Sequence, residues 1–317
     1  MDFKGLDLNL LYVLDALLQE KSVTRTGERI HLSQSATSGA LARLREFFDD
    51  ELLVQIAHKL VLTPLAEELV EPVRDLLMRA EAIARKLPAF NPAASTRRFR
   101  LIMSDYVTSV LMPEVLEMIE RTAPGVTLDL LSNAENAVEV IERGEVDLLI
   151  MPKQYLSPNH PSEDLFDDGY VCVVWSNNKS IEDNLSLDQF LAIGHVGVRL
   201  GTRQMPVFDE WVFERLGHKR RLEIVTMTFN TVPQLVIGTT RIATIPERLA
   251  RRYAQHLPLR ILPTPLELPR LAEMTQWHRF RQVDPAVTWF RGLLRTAAEL
   301  SGHRILRSTE AVSADAT

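Results

Sequence analysis

Apolar residues recur at helical spacing through the first 87 positions and then fall into short strand-like runs. That change of period divides the chain. Leu10, Leu11, Leu14, Leu17 and Leu18 share one face of a first helix that ends near Glu20-Lys21. A short second helix carries Val23, Gly27 and Ile30 on one face, with Arg25, Glu28 and Arg29 elsewhere. His31-Leu32-Ser33 makes a tight corner. Leu32 is read as its apolar plug and Ser33 as a helix cap whose hydroxyl accepts a backbone N–H of the next turn. Ala36, Ala40, Leu41 and Leu44 then form a narrow apolar stripe. The stripe leaves Gln34, Ser35, Thr37, Ser38, Arg43 and Arg45 on the opposite face, short and hydrogen-bonding at the start, cationic at the end.

Beyond Arg45 and the acidic Asp49-Asp50-Glu51, the run LLVQIAHKLVLT reads as two short strands with a turn near Ala57-His58. Thr63-Pro64 opens a long helix, since proline at the first helical position forfeits no hydrogen bond. Leu65, Leu69, Val73, Leu76, Ala80, Ile83 and Leu87 follow at coiled-coil-like spacing, and Pro72 is expected to bend or interrupt it. A long helix packed on its own domain fits the same spacing. Residues 88–97, with two prolines and small polar residues, are the break.

From Arg98 the pattern is strand 98–104, helix 107–121, strand 126–131, helix 134–143 closed by Gly144, and strand 146–152. This βαβαβ order predicts a parallel sheet with crossover helices. Further strands are expected near 170–175, 195–199, 222–226, 241–244 and 270–277, and helices near 205–216, 231–238, 247–256 and 284–301. The small polar tail, 302–317, reads as disordered. In open α/β sheets ligands lie beyond the carboxyl ends of the strands, near helix N-termini. That rule nominates Ser104, Asp105 and Tyr106, then Asn133, then Arg199, Thr202 and Arg203, then Phe229 and Asn230. Arg199 and Arg203 suit a carboxylate or phenolate, and Tyr106 and Phe229 an aromatic ring. Each residue taken singly is equally a helix cap or a packing contact.

Composition narrows the function classes. The net charge of −6 disfavours a protein that coats nucleic acid, yet residues 21–45 hold Lys21, Arg25, Arg29, Arg43 and Arg45 against Glu28 alone. A basic, hydroxyl-bearing helix after a tight corner suits a DNA major groove, although an ordinary helical hairpin with a solvated polar face shares the pattern. The N-terminus lacks the cationic and apolar regions of an export signal, and no uncharged apolar run approaches ~18 residues, so a cytoplasmic chain without membrane contact is expected. One cysteine, Cys172, excludes an intramolecular disulfide and a cysteine-cluster metal site. His160, His195, His218, His278 and Cys172 form no catalytic constellation, and no hydrolase, zinc-protease or phosphate-loop motif occurs, so an enzyme is not expected. A solute-binding protein with a helical leader would require export.

The arrangement S-V-T-R-x-x-E-R-I-H-L-S-Q-S-A-x-S-x-A-L-A-R-L-R, followed by E-L-L-V and L-T-P, resembles the N-terminal domain of LysR-type transcriptional regulators. The opening F-K-G-L-D-L-N-L-L further resembles their NodD-like branch, and the likeness runs over about residues 3–301. It implies an all-α winged helix-turn-helix at 1–62, a linker helix for dimerisation at 63–87, a hinge at 88–97 and an α/β two-lobed periplasmic-binding-protein-like effector domain at 98–301. The first lobe would comprise 98–166 and 269–301, the second 167–268. It implies no cofactor or metal. The implied partners are double-stranded promoter DNA, a small-molecule effector (an aromatic inducer in the NodD-like branch), RNA polymerase, and further copies of the chain in a dimer or tetramer. The expected role is that of a transcriptional activator. Gln34, Ser35, Thr37 and Ser38 would read the groove from the cap at Ser33, while Arg25, Arg43 and Arg45 hold the backbone. His58 and Lys59 would serve the wing. Gln55 and Ala57-His58 depart from the family's common Arg and Gly-Arg-like turn, so wing contacts are expected to be weaker or different. Ser104 is the best single effector contact on the family pattern.

Overall fold

The computed structural model describes residues 6–56, 59–84, 90–132, 136–181, 184–201 and 205–314. They fall into two units, Met1–Pro88 and Ala89–Thr317. His58, Asn133, Thr202 and Arg203 lie outside the described residues.

The first unit comprises α1 (Leu8–Glu20), α2 (Val23–Ile30), α3 (Gln34–Phe48), β1 (Leu53–Ile56), β2 (Lys59–Leu62) and α4 (Pro64–Ala84). Each of the first three helices starts at a side-chain cap: Asp7 accepts from the N–H of Leu10, Ser22 from Arg25 and Ser33 from Ala36. Each ends on a residue in the left-handed region, Lys21, His31 and Asp49, whose N–H turns back to a carbonyl of the last turn. β1 and β2 form an antiparallel hairpin. Leu10, Leu14, Leu17 and Leu18 of α1 meet Leu41 and Leu44 of α3, Leu52 and Leu53, and Val73 of α4 in one core. Each fully buried leucine contributes about 1.5–3 kcal/mol.

α4 begins where Thr63 and Pro64 place it: the Thr63 hydroxyl accepts from the Ala66 N–H and donates to Asp50. The helix continues through Pro72 rather than stopping there. Val73 is buried in the core and Arg74 pairs with Asp15 of α1 at 2.5 Å, so tertiary contacts just past the proline offset its lost hydrogen bond. Leu76 and Ile83, on the predicted stripe, stay 45% and 71% exposed.

The second unit runs β3 (Arg98–Met103), α5 (Asp105–Thr122), β4 (Thr127–Ser132), α6 (Ala137–Glu142), β5 (Leu148–Pro152), β6 (Ser162–Asp168), β7 (Tyr170–Trp175), α7 (Leu187–Ala192) and β8 (Gly194–Leu200). It continues with β9 (Met205–Pro206), α8 (Phe208–Arg215), β10 (Arg221–Thr226), α9 (Val232–Val236), β11 (Ile242–Pro246), α10 (Glu247–Ala254), β12 (Leu259–Pro263), β13 (Leu271–Gln276) and α11 (Pro285–Ala314). Two sheets result, ordered β4-β3-β5-β13-β6 and β10-β8-β11-β7-β12, with β9 paired to β8. β3, β4 and β5 are parallel, as the βαβαβ order requires, and β13 and β6 close that sheet antiparallel. The chain passes to the second sheet at Gly169 and returns over residues 264–270, which makes two lobes, the first split in sequence and the second continuous. The final helix extends to Ala314, where a disordered tail is expected from composition.

Candidate functional site

On α3 the buried positions are Thr37, Leu41 and Leu44, with Ala40 packed against the same core; of the predicted stripe only Ala36 gives way, to Thr37. Thr37 is 0% exposed, and its hydroxyl donates to the Ser33 carbonyl at 3.1 Å. It therefore closes the first turn of α3, packs beside Gly27 of α2, and faces no groove. Ala36 takes the outward place instead. Leu32 is likewise no plug: it is exposed, and its carbonyl packs against Gly27, where a Cβ would sit 2.8 Å away. The lack of a side chain at Gly27 is what lets the corner close.

The outward face holds Ser33, Gln34, Ser35, Ser38 and Arg43, all exposed. Ser33 and Ser35 hydroxyls lie 3.0 Å apart. Arg43 is 59% exposed, with only a 3.9 Å pairing to Asp7, so its guanidinium is available at little cost. Arg25 is similarly open, with a loose 3.6 Å pairing to the Glu20 carboxylate and a hydrogen bond to the Glu20 carbonyl at 2.5 Å. Arg45 is committed elsewhere. It donates to the carbonyls of Glu51 at 2.8 Å and Leu53 at 3.0 Å, which ties α3 to the base of the β1–β2 hairpin. Lys59 is exposed at the start of β2.

In the second unit, Ser104 caps α5 by accepting from the Val107 N–H at 3.1 Å and is half-buried. Asp105 and Asn230 join the lobes. The Asn230 N–H donates to Asp105 Oδ2 at 2.8 Å, its side-chain amide to the Asp105 carbonyl at 3.2 Å, and Ser109 donates to Asn230 Oδ1 at 3.0 Å. Tyr106 is buried and donates to Asp168, and burial holds its phenol well above the usual range. Its ring packs 6.1 Å from Phe229, also buried, so both aromatics belong to the inter-lobe core. Arg199 grips Glu210 with two hydrogen bonds, 2.6 and 3.3 Å, which neutralises the charge expected to meet an anionic ligand. Among the described candidates the structure thus brings Ser104, Asp105, Tyr106, Phe229 and Asn230 together and leaves Arg199 in an ion pair of its own. Sequence reasoning missed Asp168 and Glu273, two buried carboxylates beside Tyr106, because acidic residues in a strand read as surface. Burial raises Asp168 to about 6 and Glu273 to about 8.

Residues 8–67 match the model of the bacterial regulatory helix-turn-helix proteins of the lysR family, and residues 93–299 match the LysR substrate binding domain. The chain belongs to the LysR family of transcriptional regulators. Among its curated LysR relatives, Nodulation protein D 2 of Rhizobium tropici is 42% identical over 95% of each chain. Nodulation protein D 1 of Mesorhizobium japonicum is 44% identical over 93% of this chain and 94% of that one. A solved probable transcriptional regulator from Pseudomonas aeruginosa is 29% identical, with a TM-score of 0.63 over 93% of this chain and 98% of that one. Full-length OxyR from the same organism, at 17% identity and a TM-score of 0.72 over 93% and 95%, shares the fold. The first unit thus carries the lysR-type helix-turn-helix and the second the LysR substrate binding domain. The chain is a regulator rather than an enzyme. None of its described helices is long and apolar enough to cross a membrane.

Proposed function

We propose that this LysR regulator reads promoter DNA with Gln34, Ser35 and Ser38 from the cap at Ser33, while Arg25, Arg43 and Lys59 hold phosphates. One observation carries the reading: the outward face of α3 is an exposed strip of short hydrogen-bonding side chains that ends on a nearly free arginine. Short polar groups reach base edges, and cations supply the salt-dependent backbone term. The exposed Leu76 and Ile83 of α4 support a dimer formed through the linker helix, and a pair of such dimers gives the tetramer. Paired recognition helices would then enter successive major grooves about 34 Å apart. A small aromatic molecule between the lobes, near Ser104, would favour one lobe arrangement by binding it more tightly than the other. That shift would change promoter bending and so activate transcription through RNA polymerase in the cytoplasm. The relatives named Nodulation protein D favour this activator reading, and the Glu210-paired Arg199 favours a neutral or phenolic ligand over a carboxylate.

Anisotropy on an operator selected from random DNA tests the first part. Ser35→Ala with Ser38→Ala should weaken the selected site and spare random DNA, whereas Arg43→Ala should weaken both alike and lower the salt slope by about one unit. Unchanged operator affinity in the serine variant overturns the assignment of this face. Thermal unfolding against phenols, flavonoids and aromatic acids, with aliphatic acids as controls, tests the second part. A ligand at ~100 times its dissociation constant stabilises its domain by about 2.7 kcal/mol. A shift with aliphatic acids alone would remove the aromatic effector and leave the regulator.

A further inference from the structure

We propose that a protonated Glu273, held beside the charged Asp168, locks the crossover between the lobes while they keep this arrangement. Asp168 is the last residue of β6, immediately before the passage to the second lobe at Gly169, and Glu273 lies on β13, immediately after the return. Leu271 pairs with Asp168 and Glu273 with Phe166, so the two carboxylates are diagonal neighbours on one face of the two strands that carry both crossings.

Their surroundings differ. Asp168 accepts from the Tyr106 phenol of α5, from the Gly169 N–H at 2.8 Å and from the Arg248 N–H of α10 at 3.1 Å, so it binds the first lobe to the second. Glu273 is 2% exposed, and its Oε2 has no hydrogen-bond partner. The nearby cation does not serve it, since the Arg248 guanidinium is engaged with Ser301 at 2.6 Å and stacked on Phe166 at 4.5 Å. The remaining titratable neighbours are Tyr106 and the largely buried Tyr170 of β7, with Glu247 and Arg270 flanking Gly169. A buried carboxylate without a donor, beside a like charge, takes a proton. The three-fold hydrogen-bonded Asp168 keeps the negative charge. The rise of Glu273 to about 8 and of Asp168 to about 6 agrees with that division.

For an acid whose folded pKa is raised, the stabilising proton is present at low pH and is lost as pH rises through the folded value. Opening the crossover frees Glu273 to ionise at its ordinary pKa of 4.5. Between pH 6.5 and 9 its opening constant should therefore rise roughly thirtyfold and level off above about 8. Hydrogen exchange of the full chain, corrected for the intrinsic pH dependence, reads this at the N–H groups of Gly169 and Arg248. It needs neither DNA nor effector, so its outcome is independent of the function proposed above. Glu273→Gln, neutral at every pH, should remove the thirtyfold loss of protection. Asp168→Asn should remove the like charge, so that the loss levels off at lower pH and the rise between pH 6.5 and 9 is smaller. Equal pH-dependent loss in wild type and Glu273→Gln overturns the proposal, as does protection that is flat with pH in the wild type. Should Glu273→Gln fail to fold, an unshifted profile in Asp168→Asn overturns it as well.

Discussion

Two glycines in the helix-turn-helix provide a matched pair. An alanine methyl at Gly27 would lie 2.8 Å from the Leu32 carbonyl and 3.1 Å from the Thr37 hydroxyl, whereas one at Gly39 would meet nothing within 4 Å. Both positions are helical, so both gain about 0.5–1 kcal/mol from the higher helix propensity of alanine. At Gly27 the neighbour is backbone held by the Leu32 N–H to Gly27 carbonyl bond, and it cannot yield as a side-chain tip would. Forcing such a contact costs about 1–3 kcal/mol. Gly39→Ala should therefore stabilise the N-terminal unit and Gly27→Ala should leave it unchanged or less stable, the two differing by about 1–3 kcal/mol. In a unit of this size each kcal/mol moves Tm by about 4–8 °C, well within reach of a far-ultraviolet circular dichroism melt. Gly27→Ala should also lose operator affinity, because the displaced corner shifts the start of the recognition helix. A Gly27→Ala protein as stable as Gly39→Ala would show that the α2–α3 approach is not the tight contact that holds the helix pair.

Thr37→Ala should lower the stability of the N-terminal unit by roughly 1 kcal/mol through the lost buried hydroxyl bond, while Ser38→Ala leaves the denaturation midpoint unchanged and lowers operator affinity. Arg45→Ala should cost roughly 1 kcal/mol in the same measurement, discounted for its partial exposure, by releasing the wing from α3. Tyr106→Phe removes a bond that lowers the Asp168 pKa, so the fall in stability with rising pH, which for that group runs from its ordinary 3.8 to about 6, should extend to higher pH in a series of melts. Burial pushes the Cys172 thiol up to about 12, and alkylation at pH 8 should be slow in the native protein and rapid in denaturant.

The helices of the N-terminal unit were legible because caps and apolar spacing agree: Asp7, Ser22 and Ser33 each precede a periodic run. What period alone does not resolve is the phase of a stripe made of small residues. Ala36 fits the stripe with Ala40, Leu41 and Leu44, but Thr37 can satisfy its hydroxyl on the Ser33 carbonyl and so goes inside in its place. Pro72 does not interrupt α4, and the packing of Val73 and Arg74 that carries the helix past it is invisible to a local rule. In the second unit the parallel core was readable from βαβαβ order, while β6, with the sequence SEDLFDD, was missed. Its acidic alternation makes sense only once β13 lies beside it. The inter-lobe contacts were half legible. Helix N-termini pointed to Ser104, Asp105 and Asn230, but no spacing rule says that Asp105 and Asn230 bind each other or that Arg199 belongs to Glu210.

The phase of α3 separates two jobs along one short helix. Thr37, Leu41 and Leu44 carry the scaffold, while Gln34, Ser35, Ser38 and Gly39 touch nothing that the fold depends on beyond the hydroxyl contact between Ser33 and Ser35. A combinatorial library drawn at those four outward positions would sample new target sequences without spending stability, and Arg45 would carry the wing along unchanged. If α3 reads DNA as proposed, the alphabet that chooses the promoter is editable apart from the machine that holds it.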